Sequence, residues 1–148
     1  ILTRQAVPSL DQSKFNSARG LHRGAYILAG SERPEIILIG TGSEIHIALE
    51  AYNKLSEEGI GARVVSMPSW ELFDKQPEDY RKEIFPESVP KVAIEAGVRQ
   101  GWDKYVGTKG DVISIDRFGA SAPYKTIYQE YGLTCEAMVK AAKKILCK

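Results

Sequence analysis

Charged side chains stand at the carboxyl ends of three predicted strands. Glu44 and Glu95 each follow an apolar run, and Asp116 and Arg117 follow a third. The carboxyl ends of parallel strands share one edge of a sheet, where α/β proteins hold ligands, so these four residues are the first candidate site. The pattern supplies no nucleophile or base beside them. It therefore favours a charge-paired rim or a domain interface over a catalytic centre.

A glycine-rich turn, Gly40–Ser43, joins a predicted strand to a predicted helix. Backbone N–H groups at such a turn attract anions. A dinucleotide fingerprint would need a third glycine where Ile45 stands, and no lysine follows as in a Walker phosphate loop. Glu44 also adds negative charge at the mouth of the turn. We therefore expect a tight structural turn in which Thr41 and Glu44 form a capping box.

The histidines and cysteines show no spacing typical of metal sites or catalytic triads. His22 lies in the predicted linker beside Arg19 and Arg23. His46 lies off the apolar stripe of its predicted helix and is expected in solvent. Cys135 and Cys147 are 12 residues apart on one predicted helix. That spacing corresponds to about 18 Å along the axis, too far for a disulfide. Free cysteines predict a reduced, cytoplasmic protein.

Strand and helix patterns alternate along most of the chain. The sequence predicts strands at residues 25–29, 36–39, 62–67, 91–95 and 112–116, with helices after residue 44, after residue 77, and near 102–106, 123–131 and 135–146. Such alternation predicts an α/β fold, a three-layer α/β/α sandwich with a mostly parallel sheet of about five strands. It leaves open whether the first strand runs antiparallel at one edge. Trp70 and Trp102 follow strand ends and are expected to anchor a core or an interface.

Composition excludes several classes of protein. The chain has 148 residues, of which 43% are hydrophobic and 26% charged, so global disorder is excluded. Its longest apolar runs, at 25–29 and 36–39, are far shorter than the roughly 20 residues of a membrane helix. A net charge of +1 gives no basic field for nucleic acid or an anionic membrane. We expect neither as a partner.

Residues 6–23 have the composition of a linker. They include Pro8, Asn16, Gly20 and several serines, without hydrophobic periodicity. Residues 1–3 resemble the end of a strand, so we expect the chain to be part of a longer protein. A regular pattern begins at Gly24.

Several strings in this order resemble one family. They are LTRQ at 2–5, GTGSE at 40–44, VVSMPSWELFDKQ at 64–76, GWDKYVG at 101–107 and IDRFGASAP at 115–123. GTGSE alone is a weak signal, but the ordered set is specific and covers essentially the whole chain. The chain resembles the C-terminal third of transketolases.

This resemblance implies a role within a larger enzyme. Transketolases transfer a two-carbon ketol unit between ketose and aldose phosphates, using thiamine diphosphate and Mg²⁺ or another divalent metal in a homodimer. The family's first two domains hold the cofactor. The metal–diphosphate motif begins Gly-Asp-Gly and ends in paired asparagines, whereas this chain has no Gly-Asp-Gly and only the isolated Asn16 and Asn53. We expect a structural domain that supports the dimer, binds no cofactor or metal, contains no catalytic residue and is inactive alone.

The resemblance also implies a domain division and one substrate-binding residue. Residues 1–5 would end the preceding, pyrimidine-binding domain, residues 6–23 would be the linker, and residues 24–148 would be the C-terminal α/β domain. Arg4 stands at the family's Ser/Thr-Arg-Gln arginine, which binds the sugar phosphate. A planar guanidinium suits that task because it can grip phosphate oxygens with two hydrogen bonds.

Two alternatives remain open from the sequence. The strand-end residues could belong to a regulatory module that binds a nucleotide or another small molecule. The chain could also be the subunit-contact domain of a related thiamine enzyme, such as a 2-oxo acid dehydrogenase or the deoxyxylulose phosphate synthase. Those enzymes share the fold more than the quoted strings.

Overall fold

A computed structural model describes residues 6–147 and contains one five-stranded sheet. The strands are β1 (Tyr26–Gly30), β2 (Ile36–Gly40), β3 (Ala62–Ser66), β4 (Lys91–Ile94) and β5 (Asp111–Ile113). They lie in the order β1-β3-β2-β4-β5. The pairs of β2 with β3, β2 with β4, and β4 with β5 are parallel, whereas β1 pairs antiparallel with β3. The predicted mostly parallel sheet is confirmed, and β1 is its antiparallel edge strand.

Six α-helices connect and cover the strands. They are α1 (Ile45–Glu57), α2 (Trp70–Asp74), α3 (Glu78–Ile84), α4 (Asp103–Val106), α5 (Tyr124–Tyr131) and α6 (Cys135–Leu146). The sequence did not predict α2, which has only five residues and begins after Ser69, whose side chain accepts a hydrogen bond from Leu72 N at 3.3 Å. No helix within the described residues is long and apolar enough to cross a membrane.

The central strand β2 supplies both hydrophobic cores. Ile36 and Leu38 face one side of the sheet, and Ile37 and Ile39 face the other, because successive side chains of a strand alternate. The first core packs against α1 and α6, and the second against α2, α3 and α4. This arrangement confirms the predicted three layers and places the connections from β2 and β4 on opposite faces of the sheet.

The described part of the predicted linker packs along the edge strand β1. Asn16 N donates to Leu28 O at 2.9 Å, and Asn16 Nδ2 donates to Ile27 O at 3.1 Å. Leu10 and Phe15 pack against the first core. A 3₁₀ helix, Ala18–Arg23, which the sequence did not predict, leads into β1. These contacts cover part of an otherwise unpaired sheet edge.

Candidate functional site

Two of the four predicted strand-end residues, Glu44 and Glu95, come together at one sheet edge. Glu44 follows β2 and Glu95 follows β4, and these strands are parallel neighbours with Gly40 opposite Ile94. The chain leaves β2 towards α1 and leaves β4 towards α4, on opposite faces of the sheet. The two carboxylates therefore flank the topological switch point, where open α/β sheets hold ligands. We call Glu44, Glu95 and their hydrogen-bond partners the strand-end site.

The carboxylate of Glu44 accepts hydrogen bonds from two neighbouring hydroxyl groups. Its side chain is only 4% exposed. The Ser43 hydroxyl donates to Glu44 Oε1 at 2.7 Å, and the Tyr128 hydroxyl donates to the same oxygen. Ser43 Oγ and Tyr128 Oη are themselves 3.3 Å apart. Two hydroxyl donors satisfy a carboxylate that would be costly to bury alone.

This network replaces the capping box predicted for Thr41 and Glu44, and that prediction is wrong. Thr41 makes no side-chain capping bond and instead precedes a 3₁₀ turn, Gly42–Glu44. The helix α1 begins only at Ile45, and Glu44 turns inward to Ser43 and Tyr128. Nothing in the local sequence signals this, since Tyr128 lies 84 residues downstream.

Glu95 carries the clearest electrostatic signature of the strand-end site. Burial raises its pKa, and repulsion from the nearby Glu44 raises it further. A hydrogen bond to Trp102 opposes the shift by stabilising the charged form. Together, Glu44 and Glu95 make an acidic edge that repels phosphate. The geometry suits a structural contact or a cation better than an anion.

The other two predicted rim residues lie in a separate group of contacts. Asp116 accepts hydrogen bonds from Arg99 N at 3.0 Å and from Ser114 Oγ at 2.6 Å. Arg117 donates to Glu130 O at 3.0 Å, and its guanidinium lies 4.1 Å from the centre of the Tyr131 ring. These contacts fix the loop between β5 and α5. Only two of the four residues predicted to form one rim, Glu44 and Glu95, therefore lie together.

The glycine-rich turn is tight, as the sequence predicts. A Cβ on Gly40 would lie 2.9 Å from Ile45 Cα, and Gly42 has a positive φ of 53°. Real Cβ atoms do not approach a backbone atom so closely, so glycine at position 40 lets the strand pass directly under the helix. The turn is explained by packing alone.

The cysteines are free, and the described residues form no metal cluster. Cys135 is buried near one end of α6, and Cys147 is exposed beyond its other end. Burial raises the pKa of the Cys135 thiol, which disfavours a reactive thiolate. His22 is exposed and His46 is half-buried. Within residues 6–147, no three histidine, cysteine or carboxylate side chains are grouped to hold a metal.

The two tryptophans belong to the second core. Trp102 is 1% exposed, and its ring meets that of Trp70 edge to face with centroids 5.1 Å apart. Tyr105 packs against both rings. Gly101, with φ of 91°, allows this contact because a Cβ there would lie 2.5 Å from the Trp70 ring. The expectation of core anchors is confirmed for Trp102, while Trp70 is half-buried beside it.

The loop between β5 and α5 is the most exposed part of the described chain. Every residue from Asp116 to Thr126 is exposed, and the Phe118 side chain is 99% exposed. Its backbone is nevertheless held, since the Tyr131 hydroxyl donates to Phe118 O at 3.0 Å. Helix α5, which follows, has no fully buried residue. We call residues 116–124 the exposed loop.

Comparison with protein families decides where this domain belongs. The family model of the transketolase-like TK C-terminal domain matches residues 24–134. The chain belongs to the transketolase family. Its resemblance to that family in sequence, noted from LTRQ to IDRFGASAP, is confirmed.

Individual transketolases agree with this assignment. The chain is 49% identical over 98% of its length to a chloroplastic transketolase of Craterostigma plantagineum, and it spans 28% of that relative. It superposes with a TM-score of 0.87, at 33% identity, on a Pichia stipitis transketolase mutant, covering 97% of this chain and 20% of that one. A split-gene transketolase, solved as an inactive tetramer of four beta subunits, matches with a TM-score of 0.71 at 27% identity. The match covers 97% of this chain and 48% of that one.

The strand-end site does not suit the diphosphate group of the cofactor expected of a transketolase. The strand-end site presents two carboxylates to the position where an α/β sheet would take a diphosphate. One of them, Glu44, is already bonded to Ser43 and Tyr128. Arg4, the predicted sugar-phosphate residue, lies outside the described residues.

Proposed function

We propose that this chain is the C-terminal domain of a transketolase that docks onto the rest of the enzyme and leaves cofactor binding to other domains. In this proposal the whole enzyme transfers a two-carbon ketol unit between ketose and aldose phosphates, with thiamine diphosphate and Mg²⁺, as a homodimer. The observation that carries the docking role is the exposed loop at residues 116–124. Phe118 there is 99% exposed although its backbone carbonyl is fixed.

A fully exposed phenylalanine on a held backbone is typical of an interface residue. Large apolar side chains cluster at interfaces, where they gain burial without much loss of conformational entropy. Phe118 is accompanied by Tyr124, which is 40% exposed, and by small residues from Gly119 to Ala122 that permit close backbone approach. The chain spans only 28% of its Craterostigma relative, so most of such an enzyme lies outside it. That remainder is the partner that we propose for the exposed loop.

Two observations support the assignment of the cofactor to other domains. The carboxylates of the strand-end site disfavour a diphosphate. The split-gene transketolase is an inactive tetramer, and this domain matches 48% of its chain. We extend that property to this chain and propose that it is inactive alone.

The domain division and the substrate-binding residue belong to the same proposal. Residues 1–5 end the pyrimidine-binding domain, residues 6–23 form the linker and residues 24–148 form the C-terminal domain. Arg4 binds the phosphate of the sugar substrate in the complete enzyme. The free cysteines Cys135 and Cys147 fit a reducing compartment such as the cytoplasm. The transketolase relatives favour this function over the related thiamine enzymes.

Calorimetric titration tests the cofactor assignment. Thiamine diphosphate with Mg²⁺ is titrated into the 148-residue chain and, as the positive control, into the complete enzyme. We expect micromolar, Mg²⁺-dependent binding by the complete enzyme and no Mg²⁺-dependent binding by the chain alone. Micromolar, Mg²⁺-dependent binding by the chain alone would overturn the proposal, because it would place the site for cofactor and metal within these residues.

A further inference from the structure

A cavity lies at the opposite end of the sheet from the strand-end site. It has a volume of about 480 Å³ and is bounded by α3, by the start of β4 and by the segment that leads from α4 to β5. Lys91 begins β4, and Lys109 lies two residues before Asp111, where β5 begins. The cavity is therefore at the amino ends of the parallel strands. We call it the basic cavity.

Positive charge exceeds negative charge in the basic cavity. Its lining includes five cationic side chains and three carboxylates, namely Arg81, Lys82, Lys91, Lys104, Lys109, Asp74, Glu78 and Glu87. Two of the cations are already paired. Lys82 Nζ lies 2.5 Å from Glu78 Oε1, and Lys104 Nζ lies 2.6 Å from Asp74 Oδ2. Arg81, Lys91 and Lys109 remain, with Glu87 as the one lining carboxylate outside those two pairs.

The side chain of Arg81 has a buried N–H group without a hydrogen-bond acceptor among the described residues. Its Nε is buried, and no hydrogen-bond partner for it is found among the described residues. Within residues 6–147, no carboxylate lies within ion-pair distance of its guanidinium, although Glu78 is near enough for the Arg81 charge to lower its pKa. Buried polar groups in folded proteins nearly always have a partner, and the described residues supply none for this Nε.

Lys91 is a buried lysine whose ammonium group uses two of its three N–H donors. It is 6% exposed, and its Nζ donates to Pro86 O at 2.9 Å and to Val89 O at 2.8 Å. An ammonium has three N–H donors, so these two carbonyls leave one for a ligand. Burial lowers the pKa of Lys91. An anion in the cavity would favour its protonated form.

The walls beside these cations are apolar. Phe85, Val89 and Pro90 are half-buried and line the same cavity. Small-molecule sites generally combine apolar walls with a few placed polar groups, in volumes of about 300–1,000 Å³. The basic cavity has this composition and size.

We propose that the basic cavity binds a phosphorylated small organic molecule. Its phosphate lies against Arg81, Lys91 and Lys109, and its organic part packs on Phe85, Val89 and Pro90. A phosphate monoester carries close to two negative charges at neutral pH and several acceptor oxygens, which suits a fork-shaped guanidinium flanked by two ammonium groups. This site is separate from the sugar-phosphate role proposed for Arg4 and from the strand-end site.

Titration calorimetry on the complete enzyme tests the proposal. The probes are adenosine monophosphate, inorganic phosphate and adenosine, so that the phosphate and the organic part are measured separately. We expect the monophosphate to bind more tightly than either of the other two. Arg81→Gln should weaken that binding by about 10-fold or more, since a charge-assisted hydrogen bond is lost. Lys140→Gln, at an exposed lysine of α6 on the other face of the sheet, is the matched control and should not change it.

A second variant covers the case in which Arg81→Gln unfolds. Lys109→Glu reverses a charge in an exposed loop and should preserve the fold while weakening binding of the monophosphate. Binding at the enzyme's substrate site would respond to neither variant, so the two sites are distinguishable. Equal affinity for inorganic phosphate and the monophosphate, no binding at millimolar concentration, or binding insensitive to the folded variants would each overturn the proposal.

Discussion

The Tyr128 hydroxyl donates a hydrogen bond to the buried carboxylate of Glu44, 84 residues away in the sequence. This bond joins α5 to the turn between β2 and α1. It matters for the exposed loop because α5, which follows that loop, has no fully buried residue of its own. The position of the loop therefore depends on a polar contact as well as on the half-buried Tyr128 and Tyr131 rings that pack against the first core.

Replacing Tyr128 by phenylalanine should weaken the fold at this contact. Glu44 would keep the Ser43 hydroxyl but lose its second donor, and a hydrogen bond to a charged group contributes about 1.5–3 kcal/mol. We expect the free energy of unfolding of the chain to fall by that amount in urea denaturation. Tyr124→Phe is the matched control, because Tyr124 is exposed and its hydroxyl has no hydrogen bond to another described residue. Equal stability of Tyr128→Phe and the control would contradict the account.

Replacing Glu95 by glutamine should change how stability depends on pH. Burial and Glu44 raise the pKa of Glu95 above the ordinary 4.5, so the folded state holds its proton more tightly than the unfolded state. The stability contribution of Glu95 is therefore greatest below pH 4.5 and falls as pH rises through the raised value. Glu95→Gln removes this loss. The free energy of unfolding of the variant, measured relative to wild type, should therefore be higher at pH 7 than at pH 4.

Urea denaturation at pH 4 and pH 7 measures this difference. Glu57→Gln serves as the control for replacing a carboxylate by an amide, since Glu57 is exposed on α1. If Glu95→Gln changes the free energy of unfolding by the same amount at both pH values, then Glu95 ionises in the folded chain as it does in the unfolded one.

The sheet could be predicted from sequence because its signals are local. The run Ile36–Ile39 has the length and β-branched content of a strand buried on both faces, and it lies at the centre of the sheet. Helix α6 was predicted with its observed bounds, since Thr134 caps it and its apolar residues recur at helical spacing. Strand ends differed by one to three residues, the largest difference being at the carboxyl end of β5, because hydrogen bonding rather than side-chain pattern sets the limit.

The candidate site could be predicted only in part because its contacts are long-range. The sequence placed Glu44 and Glu95 at one edge, since parallel strands end together. It could not pair Glu44 with Tyr128, whose spacing carries no periodic signal. Arg63 shows the same limit, since it is a buried strand residue whose guanidinium donates to Ser31 O, Glu32 O and Glu83 O. Those carbonyls come from two distant segments.

Replacing Arg4 by alanine in the complete enzyme tests its proposed role. Loss of a charge-assisted bond to phosphate should lower kcat/KM for phosphorylated sugars by about 10- to 150-fold, mainly through KM. Unphosphorylated substrates should be hardly affected. Steady-state kinetics with both substrate classes gives the answer, with Arg19→Ala at an exposed linker arginine as the control. Equal losses for both classes would remove Arg4 from the phosphate site.

Substitutions at Ala120 and Phe118 test the docking role of the exposed loop. Ala120 is exposed in the described chain. Ala120→Leu should therefore leave the stability of the isolated chain unchanged. In the complete enzyme the same leucine should overpack the contact with the remaining domains and cost about 1–3 kcal/mol. Phe118→Ser should act in the same direction by removing the apolar side chain from that contact.

The most direct measurement compares thermal stability, dimer dissociation and sugar KM for the wild-type complete enzyme and its Ala120→Leu variant. The account predicts a lower melting temperature or weaker dimer for the variant, with KM of the remaining folded enzyme close to wild type. An unchanged melting temperature and dimer affinity, with selective loss of binding of a small molecule, would contradict it and favour a regulatory module.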